Sequence, residues 1–139
     1  MDSLQKNTDA QVKQIDLTLP LLPEMVHIVR LTVSGIASRM GFQIDDIEDI
    51  KVAVAEICNQ IILKICSATE RFSIHFEMME KCLKVRFAFE HLKPKDFKLF
   101  GEDDAFGMCI VNSLVDEVKL EENKDKKDII TLSMFLKEN

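Results

Sequence analysis

Residues 45–66 read DDIEDIKVAVAEICNQIILKIC, and the reading of this stretch decides the fold. Ile47, Ile50, Val54, Ile57, Ile61 and Ile65 recur in steps of three or four, the spacing of one face of an α-helix. Asp45 suits the cap of its first turn, and Glu48, three residues on, completes the pattern of a capping box. A polar stripe of Glu56, Gln60 and Lys64, with Asn59 beside it, runs next to the apolar face rather than opposite it. Two readings fit that stripe. One is a solvated edge with an ordinary i,i+4 pairing. The other is one wall of a binding site, with Glu56 as base and Gln60 as metal ligand.

Upstream, Ile15, Leu17 and Leu19 alternate with Asp16 and Thr18, a short half-buried strand that Pro20 ends. Pro23 and Glu24 suit a helix start. Met25, Ile28, Val29, Thr32, Val33, Ile36 and Met40 then keep helical spacing until Gly41 caps the end. Gly35 and Ala37 leave a narrow strip where another helix could approach. Downstream, Phe72, Ile74, Phe76 and Met78 alternate with polar residues, Glu80 and Lys81 make a hairpin tip, and Leu83, Val85, Phe87 and Phe89 resume the alternation. Residues 91–104 form an irregular loop, long enough to invite a functional explanation. A third helix starts near Ala105, with Phe106, Ile110, Val111, Leu114, Val115 and Val118 on its inner side. The stretch from Val118 to Glu121, a charged loop NKDKK, and Ile130, Leu132, Met134 and Leu136 complete a last strand pair. The order predicts an α+β fold: one mixed or antiparallel sheet covered on one face by three helices. Residues 1–11 are expected to be a disordered tail, and 12–139 a single domain.

The chain has 139 residues, 47% hydrophobic and 30% charged, enough for one domain with its own core. Its 24 acids against 18 bases give a net charge of −6, and no basic run offsets that, so nucleic acid is excluded as a direct partner. No apolar run approaches the roughly 20 residues that span a bilayer. The polar start MDSLQKNTDAQVKQ lacks a signal-peptide layout, so the expected location is cytoplasmic. Cys58, Cys66, Cys82 and Cys109 form no C-x-x-C pair, and Cys58 and Cys109 read as small core residues within helical patterns. His27, His75 and His91 fall on a helix, on the polar phase of a strand and at a strand end, with no ligand spacing between them.

From Ile28 to Gln60 the chain reads IVRLTVSGIASRMGFQIDDIEDIKVAVAEICNQ, and this segment resembles the serine-kinase anti-sigma factors of the RsbW and SpoIIAB type. The likeness is looser over the strands and recovers in SLVDEV, Ser113 to Val118. It implies the histidine-kinase-like (GHKL, or Bergerat-type) ATPase fold, a two-layer sandwich. Proteins of this kind, regulators of transcription in stress response or sporulation, hold ATP and Mg2+ between the long helix, the sheet and a loop-plus-helix lid. They phosphorylate a serine of a small anti-anti-sigma (STAS) partner, bind a sigma factor and usually act as homodimers.

By this resemblance Glu56 matches the catalytic glutamate that polarises the attacking group. The magnesium-ligating asparagine four residues later is replaced by Gln60, whose amide oxygen sits on an arm one methylene longer. Asn59 adjoins it on the cofactor wall. Phe89 stands where the family has an aspartate for the adenine amine, and His91 where it has a glycine. The phosphate-binding turn reads GEDDAFGMCIVNSL, with Gly107 in register but Asp104 and Ala105 in place of two glycines. Asp103 and Asp104 would compete with a phosphate for the amides of the helix N-terminus. Arg30 matches a basic residue that contacts partners; its alternative is a surface salt bridge with Glu24 or Asp49. The boxes therefore imply a protein that keeps fold and partner surface with ATP binding weakened or lost. The alternative is a working serine kinase.

Overall fold

A computed structural model describes residues 13–65, 71–90, 105–122 and 127–136. Among these, the elements in chain order are β1 (Lys13–Pro20), α1 (Met25–Met40), α2 (Ile44–Ile65), β2 (Arg71–Met79), β3 (Cys82–Glu90), α3 (Ala105–Leu114), β4 (Glu117–Glu122) and β5 (Lys127–Phe135). The strands form one sheet in the order β1-β2-β3-β5-β4. Every pairing is antiparallel, which settles the mixed-or-antiparallel alternative. The expected tail 1–11, His91 with the rest of the loop 91–104, and the turn at 67–70 lie outside the described residues.

Strict alternation is what lets β2 and β3 pair without ambiguity. Met79 faces Cys82 across the turn at Glu80 and Lys81, and Ile74 faces Phe87. A slip of one residue would turn Phe72, Ile74 and Phe76 to solvent, so the register is held by burial. These three, with Leu83, Val85, Phe87, Ile130 and Leu132, form the sheet's half of the core. The helices supply the other half: Val29, Val33, Ile36 and Ala37 from α1, then Ile50, Ala53, Val54, Ile57, Cys58 and Ile61 from α2, and Val111 from α3. Helix α2 packs against both α1 and α3, so it is the middle of the helical layer.

Several expectations are corrected in detail. The amide of Ile47 donates to the carbonyl of Gln43 at 3.0 Å, so the first turn closes on Gln43 and Asp45 lies inside the helix. Glu48 does not reach back in a capping box; it pairs with Lys51 at 3.2 Å. Ile28 is 42% exposed rather than inward, and Ala37 is buried at 1% while Gly35 is exposed, so these two small residues do not share one strip. Helix α3 ends at Leu114, which leaves Val115 in the following bend and Val118 in β4. Cys109 is exposed rather than in the core, on the outer side of α3, opposite Val111.

Among the described residues the opposite face of the sheet carries no helix. On it His75 bridges Asp16 through Nδ1 and approaches Glu77 through Nε2 at 3.4 Å, and Arg86 donates to Glu77 at 2.8 Å. The carboxylates sit on opposite ring nitrogens, so they do not converge on one point. Thr131 and Ser133 are buried there although no helix covers them, because β5 lies between two neighbouring strands whose long side chains flank it.

Candidate functional site

Glu56 and Gln60 lie one turn apart on α2, half-buried at the border of its apolar face. The Gln60 Nε2 donates to Glu56 Oε1 at 3.4 Å, a long bond. The i,i+4 pairing therefore forms, though at a half-buried border rather than a solvated edge. Turning the amide over would aim its oxygen at the carboxylate, so the observed orientation is the one electrostatics requires. The result is that Gln60 Oε1 is buried with no hydrogen-bond partner among the described residues. A buried acceptor without a donor costs roughly 1–3 kcal/mol. The amide nitrogen, and not its oxygen, faces the Glu56 carboxylate, so the two oxygens do not converge on one point.

Phe89 lies near the end of β3 and turns inward, 3% exposed, within the same core cluster as Ile57 and Ile61 of α2. Its ring fills space with carbon and accepts no hydrogen bond. Gly107 is buried in the first turn of α3, and Ala105 is the first residue of that helix. Asn59 points away: it is exposed on the outer side of α2, so the structure separates it from Gln60. Glu56 and Gln60, Phe89 and Gly107 thus sit on α2, β3 and α3 respectively. Arg30 is half-buried on α1 and makes no ion pair among the described residues, so neither Glu24 nor Asp49 neutralises it.

Burial pushes the Cys58 thiol far above its ordinary pKa, which keeps it neutral and inert beside the site. Cys82, opposite Phe135 on the open sheet face, is also raised, first by burial and against an opposing pull from Lys84. Among the described residues no three acid, histidine or cysteine side chains cluster as a metal site.

The chain is 34% identical over 140 residues to a serine-protein kinase RsbW of Halalkalibacterium halodurans, covering 91% of this chain and 85% of that protein. The chain belongs to the RsbW serine-protein kinase family. A Bacillus velezensis RsbW is likewise 34% identical, over 81% of this chain and 80% of its own length. No protein-family model matches the chain. Among solved structures, a Mycobacterium tuberculosis protein with RsbU and RsbW domains superposes with a TM-score of 0.71 at 14% identity, over 91% of this chain and 33% of that one. The SiaB–SiaC complex of Pseudomonas aeruginosa gives 0.59 at 10% identity, over 97% and 96% of the two chains. Both are likenesses of fold, and they match the five-stranded antiparallel sheet and three helices of this RsbW relative. On the outer face of α1, Leu31 is 62% exposed. It is an apolar residue off the inward periodic set of that helix.

Proposed function

We propose that this RsbW relative is an anti-sigma-type regulator that binds a sigma factor, an anti-anti-sigma STAS partner or both, as a homodimer, with ATP binding weakened or lost. The carrying observation is Phe89. At the position where the resemblance implies a carboxylate for the adenine amine, an aromatic ring is packed into the core. A base bound there would lose its hydrogen bond, costing roughly 1–3 kcal/mol, and would have to displace the ring. The partner surface rests on Arg30, a guanidinium without an ion pair among the described residues, on a helix that contains no acid, in a chain of net charge −6. A planar, always-charged fork is a good anchor for an acidic partner surface.

A second reading, an active Mg-ATP-dependent serine kinase, draws on the unsatisfied Gln60 Oε1 beside Glu56 and on the names of the curated relatives. A thermal melt with Mg-ATP and Mg-ADP separates the two. A ligand at 100 times its Kd stabilises the fold by about 2.7 kcal/mol, several degrees for a domain of this size. No shift supports the regulator; a shift of that size, with phosphate transferred to the STAS partner, establishes the kinase. Arg30→Glu is expected to abolish partner binding while leaving the melting curve in place, and unchanged affinity would put the contact elsewhere.

A further inference from the structure

Strand β1 stands at the edge of the sheet, paired on one side only, with β2. Its C-terminal end is seated: Leu19 is buried and Leu17 packs against the core. Its N-terminal half, Lys13 to Asp16, is exposed throughout. Among the described residues one side-chain bond ties this strand to the sheet, between Asp16 and His75 on the face away from the helices. That bond lies at the boundary between the seated half and the exposed half.

His75 has a carboxylate at each ring nitrogen. Asp16 stands at Nδ1, and Glu77 at Nε2, 3.4 Å away. A neutral imidazole has one N–H and one lone pair, so it donates to one of these acids and turns a lone pair toward the other. The imidazolium donates to both. The other charges around the ring come from β3: Arg86 is the cross-strand partner of His75 and donates to Glu77 at 2.8 Å, and Lys84 is the cross-strand partner of Glu77. Glu77 is therefore held by Arg86 whatever the ring does. For Asp16 the ring is the one paired side chain among the described residues. Were the exposed half of β1 to lift away, the ring would lose Asp16 and keep Arg86 opposite it, a setting less favourable to positive charge. Charge on the ring and a seated β1 thus favour each other.

We infer that His75 is a proton-operated clasp on the edge strand. Protonated, it holds the N-terminal half of β1 in place through Asp16; neutral, it lets that half fray. Fraying of Lys13 to Ile15 uncovers the main-chain edge of β2 from Phe76 to Met78, together with the buried ring of Phe76, the cross-strand partner of Ile15. An edge bared in this way is open to pairing with another strand. The clasp lies on the sheet face opposite the candidate site and depends neither on ATP nor on Arg30.

Amide hydrogen exchange of the full chain at about pH 5.5 and about pH 8.5 spans the window in which histidine side chains change charge. Rates are divided by those of an unstructured chain at each pH. The other edge strand, β4, reads EVKLEE without a histidine and serves as the reference. Relative to β4, protection of the β1 amides is expected to fall about threefold from the lower pH to the higher, the scale of one largely exposed charge pair. His75→Gln and Asp16→Asn should each remove that fall, with circular dichroism showing an intact fold. His75→Lys, charged at both values, should keep β1 protected at both. Equal protection of wild-type β1 at the two pH values overturns the clasp, and so does a fall that persists undiminished in His75→Gln and Asp16→Asn.

Discussion

Gln60 and Phe89 set the chemistry of the candidate site, and each carries its own test. Among the described residues the Gln60 amide has one weak bond and its buried oxygen meets no donor, so the fold gains little from its polarity. Gln60→Leu keeps most of the volume and removes the orphan; stability is expected to stay within about 1 kcal/mol of the parent, or to rise. Urea denaturation reads this, and a loss of more than about 2 kcal/mol would show that the oxygen has a partner. Phe89→Ala empties a core position and should cost roughly 3–5 kcal/mol. A loss under about 1 kcal/mol would mean that the ring is not part of the packing. The inward turn of Phe89 was legible, because strand alternation places it with Leu83, Val85 and Phe87. The orphaned oxygen was not. Spacing put Gln60 beside Glu56, but only the packing of α2 against its neighbours decides how much water reaches the amide.

Helix α1 contains two glycines whose reasons differ, and substitution should separate them by sign. Gly41 closes the helix in the left-handed region at φ 94, with its amide donating to Ser38 O at 3.2 Å. An alanine there is strained, and Gly41→Ala should destabilise by about 1 kcal/mol. Gly35 is helical and open, so Gly35→Ala should stabilise the monomer by about 1 kcal/mol. Melting at low micromolar concentration checks both, and equal signs would contradict this account. The elements themselves were readable where one face is buried and the other wet. The long apolar period of α2 and the hairpin of β2 and β3 are such cases. Reading failed where the pattern carries less information. Cys109 and Ile28 are apolar residues beside an inner stripe, and sequence alone does not say on which side of its edge they fall. The start of α2 shifted from Asp45 because the carbonyl of Gln43 already accepts the first helical bond. Acids within a first turn favour the helix dipole wherever the cap itself lies.

At the scale of the whole molecule the two layers share one core, with Cys58 at 0% exposure on the middle helix, so its ionisation is tied to global unfolding. In the folded chain burial raises the thiol's pKa far above its ordinary value; in the unfolded chain it titrates near 8.5. The sign follows from linkage. Below about pH 8.5 both states hold the proton and the thiol contributes nothing to pH dependence. Above it the unfolded chain releases a proton that the folded chain keeps, so stability falls, by up to about 1.4 kcal/mol per pH unit. Cys82 shifts in the same direction and adds to the fall. Urea denaturation between about pH 8 and 10.5 should therefore show a descending limb, a window set by the ordinary thiol pKa. Cys58→Ala should be less stable at neutral pH, through the small cavity, yet lose stability less steeply as the solution becomes alkaline. The lysines contribute equally to both proteins over this range, so the difference in slope isolates Cys58. Parallel limbs would mean that the thiolate is tolerated in the fold, and that the space beneath the candidate site is wetter than a closed core allows.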